Sequence, residues 1–186
     1  MTHKAKTFAN RFPNWETPQY IIDYFGPFDV DLAATAETAK APVFFTPENS
    51  LLDAGPAALR AALSSRSCWI NPPYGEMDAW VPFILRCAYQ GSDVTALLPA
   101  NTDTAWFHRL VNSGMCYDIC FVEGRIAFLK DGIVNGPPKW NEKKQKWVKS
   151  SPGNGSVIMR FSDNEPGGTL THYISREELG YKGGNT

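Results

Sequence analysis

Residues 67–75 read Ser67-Cys68-Trp69-Ile70-Asn71-Pro72-Pro73-Tyr74-Gly75. Ser67 to Ile70 predict a short β-strand, and the Asn-Pro-Pro-Tyr tetrad that follows stops it. Two successive prolines fix φ at both positions and remove two N–H donors, so the chain leaves the strand through a stiff turn. The plain structural reading is a Pro-Pro turn that Asn71 initiates and Gly75 closes. The chemistry of the tetrad points further. The Asn71 amide oxygen and the Pro72 carbonyl are uncharged acceptors facing the same way, suited to a planar amine whose lone pair is delocalised into a ring. They accept its hydrogens and draw the nitrogen toward a tetrahedral shape without protonating it. Tyr74 adds a flat face on which a base stacks. Asn71, Pro72, Pro73 and Tyr74 are therefore the candidate catalytic group.

Outward from this strand, apolar β-like runs alternate with helical stretches, which predicts an α/β sheet. Thr17-Pro18 reads as an N-cap with proline at the first helical position, opening a helix whose Ile21, Ile22 and Phe25 share a face. Strands are expected at 28–32, 42–46 and 93–99, and a helix at 57–63. Trp80, Ile84 and Cys87 mark a further helix with Pro82 in its first turn, and Trp106, Leu110 and Val111 lie on another. Residues 116–122 and 156–161 complete the sheet as an antiparallel pair. The span from Asp31 to Asn71 is short for two full βα units, so one strand or helix is expected to be trimmed. A chain of 186 residues with 43% hydrophobic content supports one core and one domain. Within it, 131–155 is expected to be a hairpin insertion. The polar tail over 162–186 reads as loosely held, or as an edge strand over 169–174.

A net charge of -1 does not advertise a nucleic-acid binder, so any basic surface must be local. One candidate is the run from Lys139 to Lys149, in which Trp140 and Trp147 bracket Lys143, Lys144 and Lys146. It reads as a β-hairpin whose lysines hold phosphates, or as a solvated hairpin with a cross-strand tryptophan pair. Cys68, Cys87, Cys116 and Cys120 lack metal-ligand spacing, and His3, His108 and His172 are scattered, so buried free thiols and no metal are expected. No run is long enough to span a membrane, and no apolar signal core follows Met1; a reducing, cytoplasmic setting is expected.

Several motifs taken together resemble the S-adenosylmethionine-dependent amino-methyltransferases, particularly the phage-type Dam-like DNA N6-adenine methyltransferases. They are Trp15-Glu16-Thr17-Pro18, Phe28-Asp29-Val30-Asp31-Leu32-Ala33, the tetrad, Leu97-Leu98-Pro99-Ala100-Asn101-Thr102-Asp103-Thr104 and Gly124-Arg125-Ile126-Ala127-Phe128, covering about 15–161. The resemblance implies a compact Rossmann-like sheet, mostly parallel with an antiparallel terminal hairpin, and methyl transfer from S-adenosylmethionine to adenine N6 at a short site in double-stranded DNA. At family level it also implies a place in restriction and modification.

It assigns Asp29, Asp31 and Ala33 to the loop around the cofactor's methionine part, with Asp31 reaching the ammonium. Ala33 and Ala34 stand where the wider pattern has glycine. It assigns Trp15, Thr17 and Pro18 to the cofactor's carboxylate, a reading that competes with a simple cap, and Asn49 or its neighbour Glu48 to the adenosine, with Asn71 beside the cofactor. Asn101 and Asp103 flank the base pocket unless Thr102 or Asp103 merely caps the next helix. Arg125 is a second DNA contact at the edge of the hairpin. The tetrad equally serves N4-cytosine or RNA-base methylation or a glutamine amide, and a catalytically idle DNA-binding module is the reading from another class. Oligomeric state is not legible.

Overall fold

The computed structural model describes residues 15–130, 132–135, 138–148, 153–164 and 167–182. Its strands are β1 (Val30–Asp31), β2 (Val43–Phe44), β3 (Ser67–Ile70), β4 (Asp93–Pro99) and β5 (Cys116–Glu123), then β6 (Leu129–Lys130), β7 (Ile133–Val134), β8 (Lys139–Asn141) and β9 (Lys146–Val148), and last β10 (Ser156–Phe161) and β11 (Leu170–Ser175). Four helices are described, α1 (Gln19–Phe25), α2 (Pro56–Leu63), α3 (Met77–Tyr89) and α4 (Ala105–Val111). The main sheet has the spatial order β2-β1-β3-β4-β10-β5-β11, and β6-β7 and β8-β9 form two separate two-stranded hairpins. Every neighbouring pair in the main sheet is parallel except the two that flank β10. The chain thus has a Rossmann-like α/β fold, and β5 with β10 is the expected antiparallel pair.

The inner parallel strands β1, β3 and β4 are buried on both faces, which is why they read as nearly continuous apolar runs: β4 is buried from Val94 to Pro99. One face packs Val94, Ala96, Leu98, Val157 and Met159 against Leu59 and Leu63 of α2, Phe83, Ile84 and Cys87 of α3 and Leu110 of α4. The other packs Trp69, Leu97, Cys120, Ile158 and Ile174 against Ile21 and Ile22 of α1. Phe83 is fully buried, and its replacement by alanine should cost about 3–5 kcal/mol.

The trimming falls in the first crossover: residues 32–42 between β1 and β2 hold a turn and no helix. Three expectations are corrected. Pro82 sits in the second turn of α3 rather than its first. Its ring nitrogen removes one intrahelical hydrogen bond, which the buried packing on both sides of it outweighs. Thr17 does not cap α1, because Pro18 is the N-cap residue and no side-chain cap bond forms. The tail is held over 167–182: β11 pairs in parallel with β5, and Ile174 and Leu179 join the core, so the edge-strand reading of 169–174 stands.

Candidate active site

The register of β1 and β3 builds the site. The two strands run parallel with Asp31 opposite Trp69, so Asn71, two residues on, leaves β3 just beyond the end of β1. Strand order reverses here, with β2 on one side of β1 and β3 and β4 on the other, and α/β sheets open a crevice at such a point. The Asn71 amide Nδ2 donates to the Thr17 hydroxyl at 3.2 Å. Thr17 is 3% exposed, so the side chain expected to cap a helix instead orients the amide. This leaves Asn71 Oδ1 as the acceptor end of the amide. The Pro72 carbonyl receives no backbone hydrogen bond among the described residues, so the two acceptors stand together at the strand end. Pro73 continues in extended geometry, φ -57° and ψ 121°, into the single 3₁₀ turn Tyr74–Glu76. Tyr74 is less open than a free stacking platform: its hydroxyl is buried without a partner, and burial alone pushes its pKa up.

A cleft of about 210 Å³ lies beside the amide, lined by Trp15, Thr17, Asp31, Ala33, Thr38, Lys40, Trp69 and Asn71. Asp31 shapes it. One carboxylate oxygen accepts the Ala33 amide at 3.2 Å and the other the Lys40 amide at 3.0 Å, folding residues 32–40 into a ring around the cleft. Burial raises the Asp31 pKa from 3.8 to about 6, against the pull of those two amides and the Lys40 charge. Lys40 points its ammonium at Glu16 Oε1, 2.7 Å away, with its side chain 7% exposed. Glu16 in turn exchanges both backbone hydrogen bonds with Leu129, at 2.8 and 3.0 Å, tying the segment before α1 to the root of the insertion.

Trp15, Thr17, Asp31, Ala33 and Asn71 therefore line one cleft, while other candidates lie apart. Pro18 is buried at the start of α1 and Asp29 precedes β1, where its carboxylate accepts the Ser67 amide at 2.9 Å. The Asn49 oxygen accepts the Thr46 amide, and Glu48 takes the Thr46 hydroxyl at 2.6 Å, so both side chains close the exposed turn after β2. Asn101 is half-buried and Asp103 exposed in the loop after β4, at the same end of the sheet as Asn71. Neither Thr102 nor Asp103 caps α4, whose N-cap residue is Thr104. Sequence reading missed Thr38, Lys40, Trp69 and Glu16. Trp69 was recoverable, since it lies two residues before Asn71 and shares its side of the strand. Lys40 was not, because only the Asp31 clamp brings it back.

Trp140 and Trp147 face each other across β8 and β9 with ring centroids 5.9 Å apart. Lys143, Lys144 and Lys146 are exposed around the turn, which the Asn141 side chain closes by accepting the Lys144 amide. Lys139 lies in β8. Arg125 is exposed, and its carbonyl accepts Arg176 Nη1 at 3.0 Å. Gly124 has φ +79°, and a Cβ there would lie 2.8 Å from Arg176 Nε, so glycine is what lets the arginine dock. The four cysteines are free and buried, and burial pushes Cys68, Cys116 and Cys120 up to about 12. Among the described residues no group of His, Cys, Asp or Glu is placed to hold a metal ion, and no helix is long and apolar enough to cross a membrane.

A family model described as DNA N-6-adenine-methyltransferase (Dam) matches residues 4–186. Two similar proteins carry the name DNA N-6-adenine-methyltransferase. One, from Haemophilus phage HP1, is 27% identical over 98% of both chains. The other, from Escherichia phage T1, is 31% identical over 86% of this chain and 67% of its own.

Proposed function

Because the chain belongs to the DNA N-6-adenine-methyltransferase (Dam) family, we propose that Asn71 and the Pro72 carbonyl are the groups that hold the adenine amine for methylation. The chain is an adenine-specific DNA methyltransferase, and the family implies S-adenosylmethionine as the methyl source. The residues of the cleft fit that cofactor: Asp31 supplies a carboxyl for its cationic groups, and Trp15 and Trp69 add aromatic walls. When bound, S-adenosylmethionine supplies a methyl group on a sulfonium leaving group, so no metal or covalent enzyme intermediate is required.

The observation that carries the reading is the Asn71 to Thr17 hydrogen bond. It fixes which end of the amide donates and leaves the oxygen as an acceptor next to the unpaired Pro72 carbonyl, a pair preorganised before substrate arrives. Neither acceptor is basic, so the amine keeps its proton until the new bond forms. Asp31 receives the cofactor's ammonium and Thr17 steadies Asn71. Tyr74 forms a fixed aromatic wall against a base rotated out of the duplex, which must leave the stack because Asn71 sits in a crevice. Asn101 and Asp103 flank the base. Lys139, Lys143, Lys144, Lys146 and Arg125 take phosphates, with Trp140 and Trp147 stiffening the arm.

The test is incubation with labelled S-adenosylmethionine and duplex DNA, single-stranded DNA or RNA, followed by nucleoside analysis. Label in N6-methyladenine from the duplex, confined to a short sequence, is expected. Label in RNA, or in both DNA forms at every adenine, would overturn the duplex-specific reading.

A further inference from the structure

The start of α1 makes a poor anchor for a carboxylate. The helix has seven residues, its N-cap is a proline without an N–H, and the Thr17 hydroxyl is engaged with Asn71. The cleft nonetheless presents a cation. Among the described residues Lys40 is the one basic residue that lines it, and its ammonium, nearly enclosed, meets Glu16 Oε1 at 2.7 Å. An ammonium has three donors, and no second partner for it occurs among the described residues. A buried cation with donors to spare is poised for an anion.

We propose that Lys40 is the residue that receives the carboxylate of the cofactor's amino-acid end, with Glu16 as the positioning residue that holds the Lys40 side chain in the cleft. The inference rests on the cofactor reading of this cleft. Charge supports it: Asp31 and Lys40, the two ionisable residues in the lining, have opposite signs, which complements the ammonium and the carboxylate of the cofactor's amino-acid end. Asp31 and Lys40 then form a matched pair for a zwitterion, joined by the hydrogen bond that the Lys40 backbone N–H donates to Asp31 Oδ2 at 3.0 Å.

Calorimetric titration with two probes tests this: S-adenosylhomocysteine, and its decarboxylated form, which keeps the ammonium. The native protein should prefer the first by about tenfold or more, the usual worth of a charge-assisted hydrogen bond. Lys40→Met should remove that preference by weakening S-adenosylhomocysteine alone, and Lys40→Arg should restore part of it. Unchanged binding of the decarboxylated probe shows that the cleft is intact in the variant. Lys40→Met with native affinity for both probes, or equal loss of both, overturns the assignment of Lys40 while leaving the cofactor site standing. A native protein that binds neither probe overturns the cofactor reading, and this inference with it.

Discussion

Asp31 carries a desolvation cost from its position. Its carboxyl is buried, and this desolvation raises its pKa from 3.8 to about 6 even though the Ala33 and Lys40 amides that its oxygens accept pull the other way. The folded state therefore prefers the protonated form, so the group's contribution to stability is fully present below about 3.8 and is lost as pH rises through about 6. A rise of this size corresponds to about 3 kcal/mol. Asp31→Asn should gain roughly that much on the native protein between pH 3.5 and pH 7.5, read as the difference between their denaturant midpoints at the two pH values. A ligand ammonium beside the carboxylate favours its charged form, so S-adenosylhomocysteine, which carries that ammonium, should bind more weakly at pH 5 than at pH 7.5. Tyr74 poses a second test. Its buried hydroxyl has no partner, so Tyr74→Phe should keep methyl transfer and stabilise the fold by about 1–3 kcal/mol, seen as a raised melting temperature. At this scale Asp31 and Asn71 were legible because strand ends in an open sheet converge on one crevice. Lys40 and Glu16 were not, since their meeting depends on a loop closed by hydrogen bonds that no periodicity announces.

Among the elements, the insertion is the clearest case of local pattern deciding structure. Alternating Lys139-Trp140-Asn141 and Lys146-Trp147-Val148 around a polar tip forms β8 and β9 in the expected register, with Trp140 opposite Trp147. Both rings remain exposed, 43% and 67%, so the pair stiffens an arm that stands outside the main sheet rather than building core. If Lys143, Lys144 and Lys146 each neutralise a phosphate, the triple change to alanine should flatten the salt dependence of DNA binding by roughly 2–3 in slope. The expected result is weaker DNA binding with unaltered cofactor binding, measured by anisotropy over a salt series. The tail was harder to read. Leu170 to Ser175 is mixed in polarity because most of β11 is exposed, and its place beside β5 is fixed by Ile174, Leu179 and the Arg176 contacts. Pairing between distant segments leaves little trace in either one.

The whole molecule shows what a small sheet needs to keep this site. The crossover between β1 and β2 has lost its helix, yet β1, β3 and β4 keep their parallel order, because the crevice depends on those three strands. The segment from Trp15 to Thr17 joins the parts: Thr17 holds Asn71, Glu16 holds Lys40, and the Glu16 backbone holds Leu129 at the foot of the insertion. Three motifs far apart in sequence thus meet within three consecutive residues, which is why the family resemblance was visible while its internal wiring was not. The central claim is that the Asn71 amide, oriented by Thr17, holds the adenine amine during transfer, and Asn71→Ala tests it most directly. Duplex DNA should be incubated with S-adenosylmethionine and either the native protein or the variant, N6-methyladenine quantified by mass spectrometry of nucleosides, and S-adenosylhomocysteine binding measured on both. The account expects N6-methyladenine from the native protein, a loss of at least about a hundredfold in the variant and cofactor binding within a few-fold of native. N6-methyladenine formed by the variant at the native rate would contradict it.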